Sequence, residues 1–200
     1  AGEYYNSAML LGSGNGNVYL KRHLVPFGEY VPLEGLLRGL IGFFDLPMSR
    51  NRSGPSEQEP LAFSAGELSL SICYEIVYGE LVRNAAPDPA VLVTISNDTW
   101  FGRSIGPLQH MQMARMRALE MGRYLVRATN NGVSAVVDPA GRVIASAPQF
   151  EPAVVTASVR RMSGQTPYAG FGSWPLLASL ALGLVALLIT ARANAAVRSE

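Results

Sequence analysis

The run Leu68-Ser69-Leu70-Ser71-Ile72-Cys73-Tyr74-Glu75-Ile76 decides how the rest of the chain is read. Residues 68–73 alternate apolar and small side chains, the period-two pattern of a half-buried strand. Tyr78-Gly79-Glu80-Leu81-Val82-Arg83 follows and is compatible with a helix, so Cys73 stands at a strand-to-helix turn. Further apolar or alternating runs at residues 90–96, 124–129, 133–137, 143–146 and 154–159 predict strands. Between them, residues 107–123 predict a helix that starts at Pro107, with Leu108, Met111, Ala114 or Arg115, and 116–119 giving a 3.6-residue apolar rhythm. The methionines of that helix are expected in the core. Asp138-Pro139-Ala140-Gly141 has the chemistry of a tight turn and predicts a hairpin. Strands separated by a helix and closed by a hairpin imply a layered α/β sandwich.

Two stretches read as punctuation. Gly12-Ser13-Gly14-Asn15-Gly16-Asn17 lacks both the Lys-Ser/Thr ending and the spacing of a phosphate loop, so it predicts a hairpin turn. Residues 49–60, rich in Pro, Ser, Arg and Glu, predict a mobile surface loop.

With 200 residues the chain has room for one sizeable domain and an anchor. Only 16% of residues are charged and the net charge is +1, so there is no broad basic surface for a nucleic-acid backbone, and nucleic acid is excluded as a partner. A single cysteine can form no intrachain disulfide. The residues from Ala1 to Tyr5 lack a basic start and an apolar core, so they form no signal peptide. The chain also lacks an initiator Met and begins inside a strand-like pattern, which reads as a fragment whose upstream part is missing.

From Met162 to Ala191 no residue is charged, and residues 174–190 are almost wholly apolar. A stretch of about 17 to 20 such residues can cross a bilayer as a helix. Phe171 and Trp174 at one end and Arg192 and Arg198 at the other have the character of interfacial anchors. The arrangement expected is a main domain over residues 1–160, a linker over 161–173, a transmembrane helix over 174–191 and a cytoplasmic tail over 192–200. Arg192 and Arg198 lie closer to the helix than Arg160 and Arg161, which favours a main domain on the outer face.

Cys73 is the first candidate for chemistry. A nucleophile at a strand-to-helix turn projects into a cleft, and the turn's N–H groups can meet a developing oxyanion. Taken alone, a lone cysteine in an apolar strand reads first as a buried packing residue. Lys21 ends the apolar run Val18-Tyr19-Leu20, with Glu29 eight residues on in a loop punctuated by Pro and Gly. A lysine can donate to a carbonyl oxygen as it becomes negative, but alone it reads as a solvated surface residue. His23 and His110 are too few and too isolated for a metal site, and His110 reads as structural.

Taken together, several blocks are specific. They are residues 19–32 (Tyr19, Lys21-Arg22-His23-Leu24-Val25-Pro26-Phe27-Gly28-Glu29-Tyr30-Val31-Pro32), Ser71-Ile72-Cys73-Tyr74-Glu75, and Ser96-Asn97-Asp98-Thr99-Trp100-Phe101-Gly102. Gln109-His110, Gln112-Met113-Ala114-Arg115, Arg117-Ala118, Glu120 and Arg127-Ala128-Thr129-Asn130-Asn131-Gly132-Val133-Ser134 complete them. In this order the chain resembles the apolipoprotein N-acyltransferases of the nitrilase, or carbon-nitrogen hydrolase, superfamily, over nearly its whole length. The resemblance implies an α/β fold, a nitrilase-like αββα sandwich of which this chain holds part, followed by a C-terminal transmembrane helix. It implies a bacterial inner-membrane protein with its catalytic domain facing the periplasm.

The resemblance also implies a Glu-Lys-Cys triad. Cys73 and Lys21 match by motif, while the glutamate falls upstream of Ala1, so the chain is expected to be catalytically incomplete. Cys73 would take an acyl group from a phospholipid as a thioester and pass it to the α-amine of an apolipoprotein's N-terminal diacylglyceryl-cysteine. Lys21 and the Tyr74 N–H would hold the oxyanion, Glu29 and Glu75 would orient Lys21, and Trp100 and Phe101 would form a lip over the acyl pocket. No metal or organic cofactor is called for, and the lipid bilayer is a partner. A membrane-tethered amidase that resolves the acyl-enzyme with water is one rival. The other is a non-catalytic anchored interaction domain in which Cys73 is core packing.

Overall fold

The computed structural model describes residues 4–12, 18–33, 51–63, 66–86, 88 and 90–198. The chain opens with β1 (Ser7–Met9) and β2 (Val18–Leu20), which pair antiparallel with Ser7 opposite Leu20. The turn expected between them lies, Gly12 apart, outside the described residues. Then come β3 (Leu61–Phe63), β4 (Gly66–Ile72), a 3-10 turn (Cys73–Val77), α1 (Gly79–Ala85) and β5 (Ala90–Ser96). A second 3-10 turn (Asp98–Phe101), α2 (Gly106–Met121), β6 (Leu125–Thr129), β7 (Ala135–Val137) and β8 (Val143–Ser146) complete the domain.

Strands β3 to β8 form one sheet in chain order, with β4, β5 and β6 parallel and the outer pairs antiparallel. Ile72 pairs with Ile95, and Ser96 with Thr129, so the carboxyl ends of the three parallel strands lie side by side. In an open α/β sheet that edge is where ligands bind.

Strand alternation gives the sheet two buried faces. On one, Leu70, Ile72, Leu68, Val93, Ile95 and Leu61 pack with Tyr19, Ala8 and Leu10 of the β1–β2 pair, a sheet-on-sheet core. The opposite face, carrying Leu92, Thr94, Ser96, Leu125 and Arg127, is buried on the side where α1 contacts β4 and α2 contacts β6. Helix α2 has Pro107 in its first turn and stops at Gly122, whose left-handed φ of 62° lets its N–H reach the carbonyls of Ala118 and Leu119.

The structure corrects three expectations. On α2 the buried face is Pro107, His110, Met111, Ala114, Ala118 and Met121, whereas Leu108, Met113, Met116 and Leu119 are exposed. Two small alanines, Ala114 and Ala118, lie on the buried face beside His110, Met111 and Met121. The strand expected over 154–159 forms no ladder; Val154 is 93% exposed, and beyond the segment Met162 makes a single bridge to Ala90. Alternation marks an apolar face but supplies no partner strand. The loop expected to be mobile is, over residues 51–58, hydrogen-bonded along its length: Arg52 N to Tyr4 O, Gly54 N to Lys21 O, and the Gln58 amide to both backbone groups of Leu20. A Cβ on Gly54 would lie 2.6 Å from the Leu20 Cβ, so only glycine permits this approach.

Residues 165–200 form a second unit. In it α3 (Pro167–Phe171) is capped by Thr166, whose hydroxyl accepts from the Ala169 N–H. Helix α4 (Trp174–Arg198) contains a 19-residue stretch, Trp174–Arg192, of mean hydropathy 2.1 with no part of it buried. At 1.5 Å per residue this is about 29 Å of helix, enough for the roughly 30 Å hydrocarbon core of a bilayer. Its few hydroxyls donate back to the helix, Ser179 to Pro175 O and Thr190 to Ala186 O, as an apolar medium demands.

Candidate active site

Cys73 is the first residue beyond β4, and its φ is +54°, the left-handed region that a non-glycine residue enters at a cost of roughly 1–2 kcal/mol. This lifts Cys73 out of the ladder and into the turn. Glu75 stabilises the turn: its fully buried carboxylate accepts from the Ile72 N–H at 2.7 Å, the Arg22 N–H at 2.7 Å, the His23 N–H at 3.1 Å and the Tyr19 hydroxyl at 3.1 Å. Burial, together with the adjacent Glu75 carboxylate, pushes the Tyr19 phenol well above its usual range, so it remains a donor. One carboxylate therefore binds the residue before Cys73 and the two residues after Lys21. Across more than fifty residues of sequence it brings the two motif blocks together.

Lys21 is 1% exposed, and its ammonium lies 2.8 and 2.7 Å from the two oxygens of Glu29. Glu29 also accepts from the Asn6 amide and the Val25 N–H. The loop that carries it folds back on itself, with Phe27 N bonded to Tyr30 O and Phe27 at φ +61°. The Lys21 backbone is fixed at both ends, its N–H to Asn6 O and its carbonyl by Gly54 N, each at 2.8 Å. Glu75 thus touches Lys21 only through its chain neighbours, whereas Glu29 holds the ammonium itself.

Tyr74 stacks edge-on to Tyr78 with centroids 5.1 Å apart, and Tyr78 lies 3.9 Å from the His23 ring. Burial and its hydrogen bond with Tyr74 push the Tyr78 phenol up to about 12. Trp100 and Phe101 sit on the second 3-10 turn, 63% and 43% exposed, with the Phe101 ring 6.3 Å from His110. Among the described residues no group of three His, Cys, Asp or Glu side chains is placed to hold a metal ion.

Behind Cys73 lies a network that the sequence reading did not assemble. Asp98 accepts from the Ser96 hydroxyl at 2.6 Å and from Arg127 Nη2 at 2.7 Å, and its Oδ1 is 3.0 Å from His110 Nδ1. His110 Nε2 is 3.1 Å from the Cys73 carbonyl oxygen. Burial alone would raise the Asp98 carboxyl, but the bonds from His110 and Ser96 and the Arg127 charge outweigh it and hold it below the usual range. Burial pulls Arg127 down, opposed by Asp98.

Residues 1–168 match the carbon-nitrogen hydrolase family. The chain belongs to that family. The apolipoprotein N-acyltransferase of Pseudomonas aeruginosa strain LESB58 is 54% identical over 173 residues, 86% of this carbon-nitrogen hydrolase chain and 34% of its own. That of Vibrio vulnificus strain CMCP6 is 50% identical over 192 residues, 92% of this chain and 38% of its own. The chain thus spans little more than a third of the length of these curated relatives. Among solved structures, the carbon-nitrogen hydrolase of Helicobacter pylori G27 aligns with a TM-score of 0.57 at 21% identity, covering 75% of this chain and 55% of that one. The NitFhit protein of C. elegans gives 0.55 at 24%, covering 74% and 36%. At those identities the likeness is one of fold, and it places this carbon-nitrogen hydrolase in the nitrilase-like α/β class.

Proposed function

We propose that the protein carrying this chain is a membrane-anchored N-acyltransferase that moves a fatty acyl group from a phospholipid to the α-amine of an N-terminal diacylglyceryl-cysteine in an apolipoprotein. Support comes from one coincidence: the relatives at 50–54% identity bear the name apolipoprotein N-acyltransferase, and the two motif residues Lys21 and Cys73 adjoin segments bound by the single buried carboxylate of Glu75.

In this mechanism a glutamate upstream of Ala1 takes the thiol proton and Cys73 attacks the ester carbonyl. Lys21 and the Tyr74 N–H receive the negative charge that develops on the carbonyl oxygen. Collapse breaks the ester C–O bond, and the lysophospholipid leaves with the proton. The lipoprotein amine then attacks the thioester, the amide forms, and Cys73 is regenerated as the thiol. Splitting ester-to-amide exchange in this way replaces one difficult step with two easier ones. Glu29 keeps Lys21 oriented, and Trp100 with Phe101 forms the lip of the acyl site. Residues 1–160 belong to the catalytic domain, 161–173 link it to a transmembrane helix over 174–191, and 192–200 form a cytoplasmic tail. The catalytic domain then faces the periplasm from the inner membrane, at the level where both lipid substrates lie.

The test is intact mass of the full-length protein after incubation with phosphatidylethanolamine, for wild type and Cys73→Ala. One fatty-acyl mass on wild type only, discharged by a diacylglyceryl peptide, is expected. Discharge by water alone would instead favour an amidase, and no adduct in any lipid would return Cys73 to a packing role.

A further inference from the structure

The carbonyl of Cys73 lies beyond the last ladder pair of β4, Ile72 with Ile95, so sheet hydrogen bonding does not orient the Cys73–Tyr74 peptide. It is the first carbonyl of the 3-10 turn Cys73–Val77, and from outside that turn His110 Nε2 meets it at 3.1 Å. A carbonyl oxygen only accepts, so Nε2 carries the hydrogen of this contact. A trans peptide is planar, with its C=O and N–H directed to opposite sides. Fixing the Cys73 carbonyl therefore fixes the direction of the Tyr74 N–H.

The imidazole is itself held from behind. Asp98 Oδ1 and Arg127 Nη2 both face its Nδ1, at 3.0 and 3.2 Å, and Asp98 in turn is bound by Ser96 at the end of β5 and by Arg127 on β6. Asp98, His110 and Arg127 are all buried, Asp98 completely. Space for the carboxylate depends on Gly132, where a Cβ would fall 2.0 Å from Asp98 Oδ2. A buried ion pair adds little net stability compared with apolar packing. Here its outer end is one backbone carbonyl, that of the nucleophile.

We infer that His110 is a positioning residue, which through the Cys73 carbonyl aims the Tyr74 N–H at the oxyanion formed during acyl transfer. This rests on the acyl-enzyme chemistry proposed above. A residue that orients an oxyanion donor acts on the transition state, so its loss lowers the rate of acylation and leaves lipid binding intact. It leaves alkylation of the same thiol intact as well, because displacement of iodide from iodoacetamide forms a C–S bond and develops no oxyanion.

The experiment uses the full-length protein with phosphatidylethanolamine vesicles, following Cys73 acylation by intact mass and, separately, its alkylation by iodoacetamide. His110→Phe should acylate about 100- to 1,000-fold more slowly, the range for losing one oxyanion donor, at an unchanged half-saturating lipid concentration and with alkylation unchanged. His110→Gln, whose amide nitrogen can take the place of Nε2, should recover most of the rate. His110→Asn, too short to reach the carbonyl, should not, and this Gln-against-Asn contrast decides the matter if the Phe variant fails to fold. Acylation at the wild-type rate in His110→Phe, equal loss of acylation and alkylation, or equal rates for Gln and Asn would each overturn the assignment. Wild-type protein that alkylates but takes up no acyl mass would refute the acyl-enzyme chemistry itself, and the role of His110 with it.

Discussion

Replacing Glu75 by Gln keeps the size and shape of the side chain and changes only its charge and one acceptor. The Oε1 position receives the N–H groups of Arg22 and His23, and the Oε2 position receives that of Ile72, with the Tyr19 hydroxyl within 3.1 Å of both. The amide oxygen serves the larger set, so the NH2 must face the Ile72 N–H. One hydrogen bond to a charged acceptor, worth about 1.5–3 kcal/mol, is lost, and a buried donor left facing another donor costs about 1–3 kcal/mol more. The Tyr19 hydroxyl can turn to accept and recovers part of this. A net loss of about 3 kcal/mol is therefore expected, and for a unit of this size, where 1 kcal/mol moves the melting temperature by about 2–4 °C, that is a fall of about 6–12 °C. The damage is local to Arg22–His23 and Ile72, so Cys73 acylation by phosphatidylethanolamine should fall with it. The assay is thermal unfolding of the full-length Glu75→Gln protein beside its intact-mass acylation rate. A melt within 2 °C of wild type together with unchanged acylation would show that the carboxylate does not hold the two blocks together.

Three further outcomes follow from the same contacts. Asp98 is held below the usual carboxylate range in the folded protein, so its contribution is complete above the unfolded value near pH 3.9 and is lost as pH falls through the lower folded value; Asp98→Asn should flatten the acid limb of an unfolding-versus-pH profile while costing about 3–5 kcal/mol at neutral pH by leaving Arg127 buried without its counter-charge. Gly132→Ala, whose new methyl would meet Asp98 Oδ2 at 2.0 Å, should destabilise by about 1–3 kcal/mol in urea titration, and an unchanged midpoint would mean that the carboxylate has room to move. Leu182→Arg near the middle of α4 should oppose membrane insertion by about 2.5–3.5 kcal/mol, read as the fraction of protein resistant to alkaline extraction from membranes; undiminished resistance would count against a spanning helix.

The strands at 90–96 and 143–146 were legible residue by residue, because each is a mainly apolar, β-branched run with a neighbour in the sheet. The strand run ending at Cys73 stops one residue earlier than its pattern, since the positive φ there is imposed by the turn and not by any local preference of cysteine. The apolar pattern over 154–159 misled for a different reason: a strand needs a partner, which a periodicity cannot provide. In the site, Lys21, Glu29, Cys73 and Glu75 were all legible as candidates, but their division of labour was not. That Glu29 binds the ammonium while Glu75 binds backbone follows from chain geometry over eight and over fifty-three residues respectively. His110 read as structural because its partners, Asp98 and the Cys73 carbonyl, lie 12 and 37 residues away. One signal for the network was nevertheless present. Arg127 interrupts an apolar strand at a position that alternates with Val126 and Ala128, and on the central sheet of an α/β domain that position faces inward. A guanidinium there must find a counter-charge. In a parallel sheet the nearest place to find one is the carboxyl end of the adjacent strand, where Asp98 stands two residues beyond Ser96. An inward arginine on a parallel strand is thus a pointer to a buried acid at the carboxyl edge of the sheet, and here it leads from Asp98 through His110 to the Cys73–Tyr74 peptide bond.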